Sequence, residues 1–247
     1  MQEPISRRSV LQVGSLTLVA LVAGCSGDDV ADTDAASHAA DAVDPNAIDC
    51  VVIPSQQTGP FYINTEQTRR DVTEGLPGAK MVVRMQLVDA AQCLPLAGLP
   101  VDIWSANAEG LYSGVDNSIV RGGGRDTQGE TFMRGRQVAD EGGVVVFETL
   151  YPGWYQVTSP HFHFTAPFDE ESSFTWQLFL DDAFSDEVYT TVAPYDERGV
   201  HPNRTEDRNV PSELVITPTG TPAEPVIDLV VGVDLENLSD PAPEFEA

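Results

Sequence analysis

The sequence predicts an all-β fold, a single-domain β-sandwich carrying long loops. Three observations lead there. Eighteen prolines and twenty glycines punctuate 247 residues, which favours short strands and turns over long helices. Short β-branched runs recur along the chain, bounded by Gly or Pro. No sustained 3.6-residue periodicity occurs outside the N-terminal apolar stretch, and no strand–helix alternation marks an α/β design.

In chain order, residues 1–25 read first as an address. Ser6-Arg7-Arg8-Ser9-Val10-Leu11-Gln12 leads into an apolar run through Ala23, and Val22-Ala23-Gly24-Cys25 closes it. Paired arginines before a short apolar run resemble a twin-arginine export signal. The four closing residues resemble a bacterial lipobox, in which Cys25 is lipidated and becomes the new N-terminus. The run is too short and interrupted for a comfortable transmembrane span. Residues 26–47 hold six aspartates, seven alanines and neither Lys nor Arg. They cannot bury enough apolar area to offset their ordering entropy and are expected to form a disordered acidic tether, with His38 solvated in it. Residues 48–236 are expected to be the folded domain and 237–247 a flexible acidic tail. The expected location is therefore the bacterial cell envelope, outside the cytoplasm, on a lipid anchor. In an exported chain the two remaining cysteines, Cys50 and Cys93, are expected to pair as a disulfide.

Within the domain, Val83, Met85 and Leu87 alternate with Val82, Arg84 and Gln86, the pattern of a half-buried strand. Leu99–Trp104, Gly143–Leu150, Ser173–Leu180, Glu213–Pro218 and Val226–Leu235 read as further strands. Turn chemistry separates them at Ala90–Pro95, Asp140–Gly143 and Thr217–Pro222. Ser185–Thr191 is expected to hold one short helical turn.

Charge narrows the function. Asp and Glu number 39 against 13 Lys and Arg, a formal charge of −26, and Lys80 is the sole lysine. A nucleic-acid-binding surface needs a basic stripe, and this chain has none. The excess belongs to the domain, since residues 48–247 carry 32 acidic against 11 basic residues. Arg121-Gly122-Gly123-Gly124-Arg125 lacks the Gly-Lys-Ser/Thr ending of a phosphate loop. Neither Gly-x-Ser-x-Gly nor His-Glu-x-x-His occurs, which removes the usual support for a serine hydrolase or zinc protease.

His161-Phe162-His163 is the strongest local cue. On an extended strand, residues i and i+2 project from one face, so both imidazoles would point together, half of a metal site. Alone the motif is weak, because paired histidines also occur on solvated strand faces. Two tyrosines flank it in sequence: Tyr155, ending Tyr151-Pro152-Gly153-Trp154-Tyr155, and Tyr112, in Trp104-Ser105-Ala106-Asn107-Ala108-Glu109-Gly110-Leu111-Tyr112-Ser113. His201, in Gly-Val-His-Pro-Asn, reads as a loop residue.

Taken with Thr58-Gly59-Pro60-Phe61-Tyr62, Phe132-Met133-Arg134-Gly135-Arg136-Gln137 and Gln177, these blocks resemble the intradiol ring-cleavage dioxygenases, the family of catechol and protocatechuate dioxygenases. They keep the family's order over most of residues 56–180. The Tyr-Pro-Gly-Trp-Tyr block is similar to that of the exported lipoprotein branch. The resemblance implies a mononuclear non-haem Fe(III) in the loops of the sandwich, held by Tyr112, Tyr155, His161 and His163. It also implies a small aromatic diol and O₂ as partners, and cleavage to a muconate-type dicarboxylic acid. Tyr155 would be the ligand that yields to substrate, and Gln177 would hydrogen-bond substrate or oxygen. Two phenolates suit a hard trivalent cation in a low-dielectric pocket.

Pro60 and Tyr62 carry two readings, a place beside the substrate or a turn and a packing residue. Two positions depart from the family. Thr158 stands where the family usually has an arginine that stabilises charge on the ring, a role Arg134 or Arg136 would have to fill. Ser105 stands where the exported branch often has His. An enzyme is thus expected, and a non-catalytic iron- or aromatic-binding surface lipoprotein is the alternative.

Overall fold

The computed structural model describes residues 52–59, 61–119, 124–155, 158–206 and 210–243. The signal and tether, Cys25, Cys50, Pro60, the Arg121–Gly123 stretch and the last four residues lie outside them.

Among the described residues, nine strands and one α-helix make a two-sheet sandwich. β1 (Lys80–Asp89), β2 (Pro100–Trp104), β3 (Arg134–Val138), β4 (Val144–Leu150), β5 (His161–Pro167) and β6 (Ser173–Leu180) precede α1 (Asp182–Thr191). β7 (Val215–Ile216), β8 (Thr219–Thr221) and β9 (Glu224–Val233) follow it. One sheet has the order β4-β1-β9-β8 and the other β3-β2-β5-β6-β7. The β1–β9 and β6–β7 pairs are parallel and the rest antiparallel.

Alternation builds the core. Met81, Val83, Met85 and Leu87 of β1 turn inward and are fully enclosed. Val145 and Phe147 of β4 and Ile227 and Val231 of β9 join them. From the other sheet come Ile103, Phe162, Phe164, Phe174, Trp176 and Leu178. The Phe164 and Trp176 rings are register partners across β5 and β6, stacked 5.2 Å apart. On the outer face of β1, Arg84 pairs with Asp228, its register partner on β9, at 2.7 Å.

Three expectations are corrected. The helix runs for ten residues rather than one turn: Asp181 Oδ1 caps it by accepting from the Phe184 N–H at 2.9 Å. Ser185, Val188 and Tyr189 form its buried stripe. The Glu213–Pro218 strand shrinks to Val215–Ile216, because Pro211 leads Ser212–Leu214 into a 3₁₀ turn. The Thr217–Pro222 turn contains a short strand, β8, which forms a hairpin with β9. Cys93 is disulfide-bonded, and both other cysteines lie outside the described residues. Among the described residues no helix is long and apolar enough to cross a membrane.

Candidate metal centre

The outer face of the second sheet carries the polar chemistry. Phe162 and Phe164 point into the core, so His161 and His163 point away from it. Antiparallel register aligns Arg134, Trp104, His163 and Gln177 in one row across four strands. Directly paired residues share a face, so all four stand on the histidine side. The Trp104 indole stacks on the His163 ring, centroids 4.9 Å apart and planes 8° apart. Phe179, opposite His161, stacks on that imidazole at 5.1 Å.

Loops bring in the phenols. Between β2 and β3, Asn107 Oδ1 accepts from the N–H groups of Glu109 and Leu111, both at 3.0 Å, making a tight turn. Asn117 then grips Tyr112 twice, accepting from its N–H at 3.0 Å and donating to its C=O at 2.8 Å. Tyr155 ends the β4–β5 connection. That connection runs so close to the Asn107 and Ala108 carbonyls that a Cβ on Gly153 would overlap them.

Four donor atoms converge as a result. Tyr112 Oη lies 3.5 Å from Tyr155 Oη and 3.5 Å from His161 Nε2, and the two histidine Nε2 atoms are 2.8 Å apart. His161 Nδ1 sits 2.7 Å from the Ser159 carbonyl. A carbonyl only accepts, so Nδ1 carries the proton and Nε2 presents its lone pair to the cluster. His163 Nδ1 is buried and has no hydrogen-bond partner among the described residues.

Burial sets the electrostatics. It pushes the Tyr112 phenol well above its ordinary value, aided by neighbouring Tyr155, and the Tyr155 phenol up to about 12. It holds His161 down at about 4 and, with the neighbouring His161 and Arg134, pushes His163 well below its ordinary value. Without a cation the cluster is therefore two phenols and two neutral imidazoles, every charged form penalised by desolvation. A trivalent cation among these atoms reverses the penalty on the phenolates. Hard phenolate oxygens with two imidazole nitrogens, closed off from water, form a donor set that fits ferric iron. Among the described residues no group of three His, Cys, Asp or Glu could hold a metal, so any such centre here needs its tyrosines.

The other candidates sit around the cluster. Arg134 is fully enclosed, and its Nε and Nη2 donate to Ser113, to Oγ at 3.0 Å and to the carbonyl at 2.8 Å. Nη1 has no hydrogen-bond partner. The guanidinium thus holds the residue after Tyr112, and its charge favours the Tyr112 phenolate. Arg136 is committed elsewhere: Nε and Nη2 clasp Asp102 at 2.6 and 2.7 Å. Tyr62 donates its hydroxyl to the same carboxylate at 2.8 Å and lays its ring 4.9 Å from Trp104, which is the packing role. The neighbouring Phe61 ring lies 4.7 Å from that of Tyr112. Gln177, opposite His163, donates to the Gln57 carbonyl at 3.0 Å. The incoming chain therefore crosses His163, close enough that a Cβ on Gly59 would stand 3.0 Å from its Cε1. Thr158 bridges to Tyr155. His201 is a loop residue, as its sequence context suggested, and it is buried, with Nδ1 donating to the Asn203 carbonyl at 2.6 Å. Asn117, Ser159 and Asn203 were not singled out from sequence; only Asn117, five residues after Tyr112, had a local signal.

Comparisons with known proteins bear on the family resemblance and the fold. Residues 57–169 match the family model described as Dioxygenase. An intradiol ring-cleavage dioxygenase from Tetranychus urticae superposes with a TM-score of 0.64 at 26% identity, over 77% of this chain and 98% of that one. The dioxygenase domain of a carbohydrate-binding fusion from Streptomyces sp. superposes at 0.53 with 22% identity, over 74% and 99%. Hydroxyquinol 1,2-dioxygenase from Pseudomonas putida superposes at 0.50 with 17% identity, over 75% and 68%. The last two speak to the fold alone. No protein of curated function matches the sequence. Residues 57–169 are thus similar to that family, and the sandwich has the fold of these solved dioxygenases.

Proposed function

We propose that this chain is an intradiol dioxygenase that binds Fe(III) through Tyr112, Tyr155, His161 and His163 and opens an uncharged catechol-type ring between its two hydroxyl-bearing carbons. O₂ supplies both oxygen atoms, and the product is a muconate-type dicarboxylic acid. The carrying observation is the convergence of two phenol oxygens and two imidazole nitrogens within 3.5 Å of their neighbours. When bound, the ferric ion supplies Lewis-acid activation of the diol toward O₂.

The protein's own residues do the rest. Phe61, Trp104 and Phe179 wall the site with apolar surface and exclude water, which strengthens the electrostatics inside. Tyr112 is enclosed and pinned by Asn117, so it stays in place. Tyr155 is only partly buried, and its Oη is the base that takes one of the two diol protons as substrate enters. Arg134 keeps the Tyr112–Ser113 backbone fixed while that happens.

The test is direct. Iron-loaded protein should show visible tyrosinate-to-iron charge-transfer absorption, and added catechol should shift the band and start O₂ uptake. Loaded protein without visible absorption would sink the metal assignment. A shift without O₂ uptake would favour the second reading, a non-catalytic binding protein. One observation supports that reading: position 158 is a threonine, Arg136 is bound to Asp102 and Arg134 is clasped to Ser113.

The address at residues 1–25 completes the proposal. Arg7-Arg8 and the Val22–Cys25 lipobox send the chain across the bacterial inner membrane and lipidate Cys25. Palmitate labelling that persists in Cys25→Ala would refute the anchor.

A further inference from the structure

We infer that Asn203 and His201 are positioning residues for the four-donor cluster, forming with Asp182 a brace that holds Tyr155 and the His161 ring in register. The purpose of the brace rests on reading that cluster as a metal centre; its existence does not.

The contacts form one chain. The Asn203 side-chain amide donates to the Tyr155 carbonyl at 3.3 Å. The Asn203 backbone carbonyl accepts from Ser159 Oγ at 3.0 Å and from His201 Nδ1 at 2.6 Å. The Ser159 carbonyl in turn accepts from His161 Nδ1 at 2.7 Å. A single residue, more than forty positions downstream, therefore grips the loop at both Tyr155 and Ser159. One end carries a phenol of the cluster and the other carries the acceptor that orients an imidazole.

The brace is anchored outside the loop. His201 is enclosed, its ring edge-on to Tyr189 at 5.6 Å. Its Nε2 faces Asp182 Oδ1 at 3.4 Å without a hydrogen bond, so the anchoring bonds come from elsewhere on that carboxylate. The other Asp182 oxygen accepts from the Thr205 N–H at 3.0 Å and its hydroxyl at 2.9 Å. Asp182 opens α1, which follows β6, and β6 supplies the Phe179 ring stacked on His161. The same imidazole is thus fixed from two directions, by a stacked ring and by a hydrogen-bonded carbonyl. Neither His201 nor Asn203 is hydrogen-bonded to a donor atom of the cluster, so they act through Ser159 and the Tyr155 backbone. Outer partners of this type orient a ligating histidine and raise its basicity, and their loss typically costs 10–100-fold in metal affinity.

Four variants test it: Asn203→Ala, His201→Ala, His201→Asn and Arg204→Ala. His201→Asn carries an amide nitrogen where Nδ1 stood. Arg204→Ala removes the 2.8 Å ion pair that joins the same loop to Asp186 of α1, and serves as control. The first readout needs no metal: the exchange rate of the His161 Nδ1 proton by nitrogen-15 NMR on the metal-free full domain. The second is the charge-transfer band after ferric loading. His201→Ala should speed exchange about tenfold or more and weaken iron binding by ~10-fold or more. Asn203→Ala cuts only the bond to the Tyr155 carbonyl, so it should weaken iron binding by a similar factor and leave exchange near wild type. His201→Asn should recover most of both, and Arg204→Ala should change neither. A folded His201→Ala protein with wild-type exchange overturns the brace, as does folded Asn203→Ala with wild-type iron binding or an Arg204→Ala effect of equal size. Should His201→Ala not fold, Asn203→Ala carries the test through iron binding, because it leaves both backbone bonds in place and cuts only the one to Tyr155. If wild-type protein gives no band yet exchange still responds, the metal reading fails and the brace stands.

Discussion

The Trp104 indole lies flat on the His163 imidazole because the two residues are register partners across β2 and β5. The strand pairing that closes the sheet also fixes the plane of a candidate ligand. Trp104→Leu keeps an apolar cover and removes the stacked plane. It should weaken ferric binding by ~10-fold, as loss of a supporting partner does, and leave the number of coordinated tyrosinates unchanged by resonance Raman. An unaltered affinity would mean that β5 alone orients the ring.

The two phenols should separate in their effects. Tyr155→Phe should retain iron and keep a Tyr112-derived charge-transfer band while kcat falls by 10²-fold or more, the usual size of a lost acid–base contribution. Tyr112→Phe should shift the band further and reduce iron retention on dialysis, because Tyr112 is the enclosed, doubly gripped ligand. Equal losses from both would argue against Tyr155 as the proton acceptor.

The two arginines of β3 should separate as well. Arg136→Met strands the Asp102 carboxylate, which is 10% exposed, and should cost roughly 3 kcal/mol of stability in urea melts. Its charge-transfer spectrum should stay close to wild type. Arg134→Met removes the clasp on Ser113 and a positive charge beside Tyr112. It should alter the spectrum, and a spectrum like wild type would show that Arg134 serves packing only.

Stability should fall at alkaline pH. Burial pushes the phenols of Tyr151, Tyr189 and Tyr195 above their ordinary value. Their hydroxyls are tied to Ser185 Oγ, the Pro152 carbonyl and the Tyr151 carbonyl at 2.6 to 2.7 Å. Above about pH 10 the unfolded chain releases these protons and the folded one keeps them. The unfolded state then binds fewer protons, so stability declines as pH rises through that range. Chemical melts from pH 8 to 11 should show a midpoint that drops beyond 10, less steeply in Tyr189→Phe.

The domain charge should appear in substrate choice. A carboxylated catechol meets a repulsive field, and its kcat/KM at low salt should be about tenfold or more below that of catechol, the gap narrowing as salt is added. A preference for the acid would point to a local cation that the excess of carboxylates does not mask.

What the sequence determined by itself was the part governed by short-range geometry. Alternation in Val82–Leu87 and Ser173–Leu180 reads directly as strands, since successive side chains on a strand point to opposite faces. The same rule puts His161 and His163 together and Trp176 opposite Gln177. The motif order then names Tyr112 and Tyr155 as their partners. The extent of α1 escaped notice because its buried stripe is only Ser185, Val188 and Tyr189, too sparse for a periodic signal. Tertiary structure alone decided what the polar residues nearby do. Arg134 and Arg136 stand two positions apart on one strand face, yet one clasps Ser113 and the other Asp102. Tyr62 turns its hydroxyl to Asp102, forty residues away. Asn203 reaches back to Tyr155 and Ser159 from a loop with no motif at all. Such contacts depend on strand register and loop path, which join residues far apart in the chain, and no local period records them.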